Sequence, residues 1–353
     1  MAEGFRERSL NFGWILRGHP TGRRIERRRY PLCGHAIIAS TFAPPTPQRA
    51  LAAPSPSFPE RTMTLQLPHG FTSQQAIDEA YDPFRRAADA AASNQHFAER
   101  SALARDTLRH HLNVPYGATL AETLDIFPAE QPNAPVLFFI HGGYWRARAA
   151  RDYHSVALGP AAMGFTTVVV DYALCPTVTL DEIVRQVRAA AAWTLRHIAE
   201  YHGDPQRVVI SGSSAGGHLG GMLLTTPWQQ DYGLPDDPFA GAVLLSGLYD
   251  IAPLRYSYLQ PLIQLDEGIV RRNSPTHRVR ACKTPALLAW GGAEQDAFAH
   301  QTEGFHAAWA AAGNTSRLHI EPGADHFQAM MPLEQPDSVL CQAVRAFADR
   351  RKG

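Results

Sequence analysis

Ser214 lies in the run Ser211-Gly212-Ser213-Ser214-Ala215-Gly216-Gly217, after the β-branched Val208-Val209-Ile210 and before a segment with Leu219, Met222, Leu223 and Leu224 at helical spacing. Gly212-x-Ser214-x-Gly216 has the G-x-S-x-G spacing of a nucleophile elbow, in which a serine tips a sharp strand-to-helix turn. Backbone so tightly turned needs neighbours without bulk. The hydroxyl then stands above the sheet edge, and the N–H of Ala215 points into the same space from the start of the helix. Ser211 and Ser213 fall outside this frame. The same run would also serve simply to pack a helix on a sheet, so the flanking chemistry decides between the two.

Upstream, the apolar run Val136–Ile140 leads into His141-Gly142-Gly143-Tyr144-Trp145. Glycines at a strand's carboxyl end let the backbone turn its N–H groups toward a cleft, as an oxyanion hole requires. Gly142 and Gly143 are therefore candidate positions for such a hole, and Tyr144 and Trp145 candidate pocket walls. A serine nucleophile needs a base, and His326, in Asp325-His326-Phe327 after the last expected strand, fits. The base needs an acid to fix its tautomer. Glu294 and Asp296 both follow the run Ala286–Trp290, and either keeps the chain order serine, acid, histidine. His218, one helical turn beyond Ser214, is either a pocket residue or a buried, hydrogen-bonded one.

The elements that must carry these groups alternate. Apolar runs at Val136–Ile140, Thr166–Val170, Val208–Ile210, Ala242–Leu245 and Ala286–Trp290 are of strand length and continuous, as in strands covered on both faces. Between them lie helical patterns: an amphipathic stripe from Leu180 to Tyr201, then Phe298–Ala312 and Asp337–Arg350. Arg317–Ile320 is the expected last strand, Leu120–Phe127 an expected edge strand, and residues 72–111 an expected helical stretch. Strands alternating with helices predict an α/β fold with a mostly parallel sheet.

The totals narrow the function class. Formal net charge is zero over 353 residues, which argues against electrostatic binding to nucleic acid or a membrane surface. No stretch approaches the roughly 18 apolar residues of a membrane span. The four cysteines are widely spaced and read as free thiols in a reducing compartment, so a cytoplasmic location is expected. No histidine or cysteine spacing suggests a metal site. Residues 1–62 are rich in arginine and then in proline, a composition expected to stay disordered. They are either a transit-like segment or an over-extended start, with Met63 opening the domain at 63–353.

With elbow, glycine loop and late histidine in place, the chain resembles the α/β-hydrolase superfamily, and most closely its branch of hormone-sensitive-lipase-like esterases and kynurenine formamidases (arylformamidases). His141-Gly142-Gly143-Tyr144-Trp145 is similar to the formamidase form of a loop that esterases write H-G-G-G. Leu245-Ser246-Gly247-Leu248-Tyr249-Asp250 and Asn273-Ser274-Pro275 resemble that group too. The resemblance runs from about Phe71 to the carboxyl terminus. It implies Ser214 as nucleophile and His326 as base. It favours Glu294 as the acid, two residues after Gly292, with Asp296 the runner-up; the family usually has Asp there. It implies an oxyanion hole from Gly143 and Tyr144 with Ala215. The implied activity is hydrolysis of an N-formyl arylamine through an acyl-enzyme, N-formyl-L-kynurenine being the reference substrate, without metal or organic cofactor. A short-chain carboxylesterase or arylesterase would use the same residues, and a non-catalytic ligand-binding homologue would lack one of them. The expected partner is a small-molecule substrate.

Overall fold

Five consecutive apolar residues have no side to turn toward water, and Val136–Ile140 lies accordingly in the middle of a sheet. A computed structural model describes residues 70–350; the expectations for residues 1–62 and for a domain start at Met63 fall outside them. The eight strands are β1 (His111–Pro115), β2 (Thr123–Phe127), β3 (Ala134–Ile140), β4 (Thr166–Val170), β5 (Gly203–Ser213), β6 (Gly241–Leu245), β7 (Ala286–Gly291) and β8 (Ser316–Glu321). Their order across the sheet is β1-β2-β4-β3-β5-β6-β7-β8. β1 pairs antiparallel with β2 and β2 with β4, while every other pairing is parallel. The expected α/β architecture is the observed one.

The helices are α1 (Gln74–Ala80), α2 (Ala90–Thr107), α3 (Leu158–Ala162), α4 (Leu180–His197), α5 (Ala215–Leu224), α6 (Trp228–Tyr232), α7 (Gln260–Ile263), α8 (Glu267–Asn273), α9 (Asp296–Ala311) and α10 (Val339–Ala348). Alternation along β3 divides the core. Val136, Phe138 and Ile140 pack with Ile183 and Val187 of α4, Leu219 of α5 and Phe298 of α9. Leu137 and Phe139 face the other way, onto Phe97 of α2 and Leu340, Val344 and Phe347 of α10. Burying both faces removes the most apolar surface from water, the main favourable term in folding.

Two expectations fail. The helical stretch over 72–111 is interrupted: Ser73 caps α1, Asp82 caps a 3₁₀ turn at Pro83–Arg86, and Asp89 caps α2. A proline cannot donate into a continuing helix, and each of these side chains accepts a backbone N–H that starts a new one. Phe84 and Leu103, apolar residues within this stretch, are exposed. The stretch also ends in β1, whose residues are mostly exposed and so lack the buried alternation that marks a strand. β1 makes β2 an interior strand instead of the expected edge, and pairing begins only at Thr123, leaving Leu120 in solvent. Cys175, Cys282 and Cys341 are buried free thiols. Among the described residues no helix is long and apolar enough to cross a membrane.

Candidate active site

β5 passes into α5 through Ser214, at φ 58° and ψ −119°. The Ser214 N–H donates to Leu245 O of β6 at 2.9 Å, and the His218 N–H donates to Ser214 O at 3.0 Å, which fix the turn from both sides. A Cβ on Gly216 would lie 1.9 Å from Ile140 O, and one on Gly212 would lie 2.5 Å from Gly216 O. Only glycine lets α5 begin against the end of β3. That approach sets Ser214 beside the loop after β3: a Cβ on Gly142 would be 3.2 Å from Ser214 Cβ.

The loop turns through left-handed backbone at Gly143 (φ 110°), Tyr144 (φ 49°) and Trp145 (φ 57°). Gly143 O accepts from the N–H groups of Arg146 and Ala147, both at 3.1 Å. The Tyr153 hydroxyl lies against the Gly142 backbone. The Gly143 and Tyr144 amides have no acceptor among the described residues. Ala215 is the first residue of α5, and a helix leaves its first N–H groups without intrahelical partners. Tyr144 stays buried, its hydroxyl donating to Tyr81 O at 2.5 Å, and burial raises its pKa.

Trp145 and His218 correct the expected pocket. Trp145 Nε1–H donates to His218 Nδ1 at 3.1 Å, and His218 Nε2 bonds Asn273 O at 2.7 Å. Both side chains are fully buried in the core and neither lines the cavity at Ser214. Each nitrogen of the ring has a partner, and burial pushes the His218 pKa down to about 4. The physical reason is direction: one helical turn beyond the elbow, α5 is already passing beneath the loop after β3.

Glu294 and His326 come from the loops after β7 and β8 and meet directly. Glu294 Oε2 lies 2.6 Å from His326 Nδ1. Glu294 Oε1 accepts from Ser246 Oγ at 2.5 Å and from the Gly291 N–H at 2.6 Å, so both carboxylate oxygens are engaged. The Phe298 ring lies 4.4 Å from the imidazole, centre to centre. With Nδ1 on the carboxylate, Nε2 is the nitrogen left for another partner. Asp296 is elsewhere: its side chain is 75% exposed and pairs with Arg86 at 2.8 Å. Nor does it cap α9. The capping position belongs to Gln295, and Asp296 is the first helical residue.

A strap formed by residues 81–88 holds these loops. Arg86 Nη1 donates to Glu294 O at 2.6 Å, and the Ala88 N–H to Asp325 Oδ2 at 2.9 Å. Gln295 Nε2 donates to Asp82 O. Ser214, His326, Gly142, Gly143 and Tyr144 share a cavity of about 220 Å³. Phe84 of the strap, Phe97, Tyr153, Phe327 and Met330 give it an apolar, mainly aromatic wall, and Arg146 and Arg148 also line it. Sequence reasoning missed Tyr153, Ser246, Phe84 and the two arginines. Only Ser246 carried a signal, since it follows a strand between the elbow strand and the acid strand. Among the described residues no group of three or more His, Cys, Asp or Glu is placed to hold a metal ion.

Comparison with known proteins gives the following. The family model described as BD-FAE matches residues 124–236, and that of the prolyl oligopeptidase family matches residues 181–350. Kynurenine formamidase of Danio rerio is 27% identical over 281 residues, covering 76% of this chain and 94% of the relative. Esterase LipC of Mycobacterium tuberculosis is 29% identical over 240 residues, covering 62% of this chain and 59% of the relative. A solved structure from a Silicibacter species, provisionally described as a thioesterase, superposes with a TM-score of 0.68 at 27% identity, covering 76% of this chain and 98% of that one.

Proposed function

From the chain's place as a hydrolase of the α/β-hydrolase superfamily, in the branch shared by kynurenine formamidases and hormone-sensitive-lipase-like esterases, we propose that it cleaves N-formyl arylamines through an acyl-enzyme on Ser214. Ser214 Oγ attacks the formyl carbon while His326 Nε2 takes its proton. Glu294, bonded to Nδ1, holds the tautomer and stabilises the imidazolium. The N–H groups of Gly143, Tyr144 and Ala215 receive the oxyanion. His326 then protonates the leaving amine, and water, deprotonated by the same ring, releases formate. The observation that carries this reading is the 2.6 Å bond between Glu294 and His326, beside a cavity that His326 shares with Ser214.

The walls of that cavity support the formyl preference, since their mainly aromatic lining suits an aryl group. The near-complete coverage of the fish formamidase supports the same choice. The esterase likeness of LipC favours a second reading, a short-chain carboxylesterase with the same residues. The experiment is kcat/KM for N-formyl-L-kynurenine beside p-nitrophenyl acetate and butyrate. The formamide should lead; a butyrate value equal to or above it would establish the esterase reading instead. The buried free thiols support a reducing, cytoplasmic compartment.

A further inference from the structure

Arg146 follows the glycine loop and lines the cavity of Ser214 and His326, and its Nε is buried without a hydrogen-bond partner among the described residues. A buried guanidinium N–H left unmatched is costly, and such groups are normally paired. Arg148, on the same cavity, donates to the neutral Asn94 Oδ1 at 2.5 Å. An adjoining recess of about 270 Å³ shares Asn94, Phe97, Arg148 and Asp152 with the cavity and adds Arg105 and Arg151. Four arginines thus stand along one continuous concavity. The carboxylate lining it belongs to Asp152, and its Oδ2 is taken by the Ala149 N–H at 3.1 Å. None of the four arginines forms an ion pair among the described residues.

Arg146 is half-buried with its Nε out of water, Arg148 is exposed, and a planar fork of N–H donors is suited to a carboxylate. We propose that Arg146, with Arg148 beside it, selects substrates that carry a carboxylate. This rests on the function proposed above, and that function fixes the side: a formyl group bears no substituent, so the carboxylate belongs to the leaving arylamine.

The test is kcat/KM for two matched pairs, phenyl acetate with 4-acetoxybenzoate and formanilide with 4-formamidobenzoate. Each pair differs by one para-carboxylate, far from the scissile bond. The wild-type chain should favour the carboxylate member by about 10-fold or more, chiefly through KM, as expected for hydrogen bonds to a charged group. Arg146→Gln should collapse that ratio to within about 2-fold of unity, and Arg146→Lys, which keeps the charge but loses the fork, should hold it between. A wild-type ratio at or below unity overturns the inference, as does a high ratio that Arg146→Gln leaves intact. Should Arg146→Gln fail to fold, judged by circular dichroism and Ser214 labelling with a fluorophosphonate, the wild-type and Arg146→Lys ratios decide. Turnover of the esters alone removes the formamide reading, while the ester pair still decides Arg146. Turnover of neither pair, with Ser214 unlabelled, removes the hydrolase chemistry and this inference with it.

Discussion

Ser214 holds a left-handed φ of 58°, a conformation that favours small side chains whatever their chemistry. Ser214→Ala removes only the hydroxyl, so the variant should fold normally, lose turnover by several orders of magnitude and resist organophosphate labelling. Labelling that persists on Ser211 or Ser213 would move the nucleophile. Glu294→Gln replaces the group that orients His326, and kcat should fall by orders of magnitude, up to about 10⁴-fold in the best-studied triad. Asp296→Asn breaks only the exposed pair with Arg86, worth about 1 kcal/mol or less, and should keep its rate. Steady-state kinetics with a thermal melt separate the two; a slow Asp296→Asn beside a normal Glu294→Gln would reverse the assignment. That Ser214 and His326 would be the candidates for one cavity could be read because motif and chain order point to single residues. Glu294 and Asp296 could be ranked only by family spacing, since side chains two positions apart on a loop diverge in directions that spacing alone does not give. Tyr153 was illegible for a related reason: it reaches Gly142 from a 3₁₀ segment with no chemical signature of its own.

At the scale of elements, the link from the loop after β3 to α5 runs through Trp145 and His218. His218 titrates at about 4 when folded and near 6.5 when the chain is unfolded. Between these values the unfolded chain binds the extra proton, so stability rises with pH there. The contribution is complete above about 6.5 and is lost as pH falls toward 4, with a slope from this one group of up to about 1.4 kcal/mol per pH unit. Urea titrations at pH 8, 6 and 5 should show this fall in the wild-type chain and a shallower one in His218→Gln. Equal slopes would mean that His218 is protonated or mobile in the fold. Trp145→Phe, which strips His218 Nδ1 of its donor, should cost about 1–3 kcal/mol. Sequence periodicity located α4 well because its apolar stripe is regular and its ends are marked, by Thr179 before and basic residues in the last turn. It misjudged residues 72–111 because several short capped helices share the composition of one long helix.

For the molecule as a whole, the α/β class was legible because runs such as Thr166–Val170 are too apolar for any strand with a wet face. The role of residues 81–88 was not, because its partners lie at the far end of the chain. Nested truncations test that role. Removal of residues 1–62, whose composition predicts no packed core, should leave melting temperature and kcat/KM unchanged. A chain begun at Ala90 loses the Tyr81 carbonyl, Phe84 and Arg86 together. It should keep its sheet, read by circular dichroism, and lose about 10²-fold or more in kcat/KM as the catalytic loops drift. Equal activity in both chains would show that the loops after β7 and β8 hold themselves.

The same strap bears on how the enzyme comes into being. Arg86 and Ala88 bond to partners 208 and 237 residues later in the chain. Residues made early must therefore wait for Glu294 and Asp325 to leave the ribosome, and contacts so distant in sequence close slowly. An elbow serine and the strap already exist on a nascent chain ending near β6, yet neither the base His326 nor the Glu294 that the strap holds has been synthesised. Esterolytic competence is thus deferred to the last stage of translation, and ribosome-stalled chains that stop before His326 should be inert toward fluorophosphonates that label the released protein.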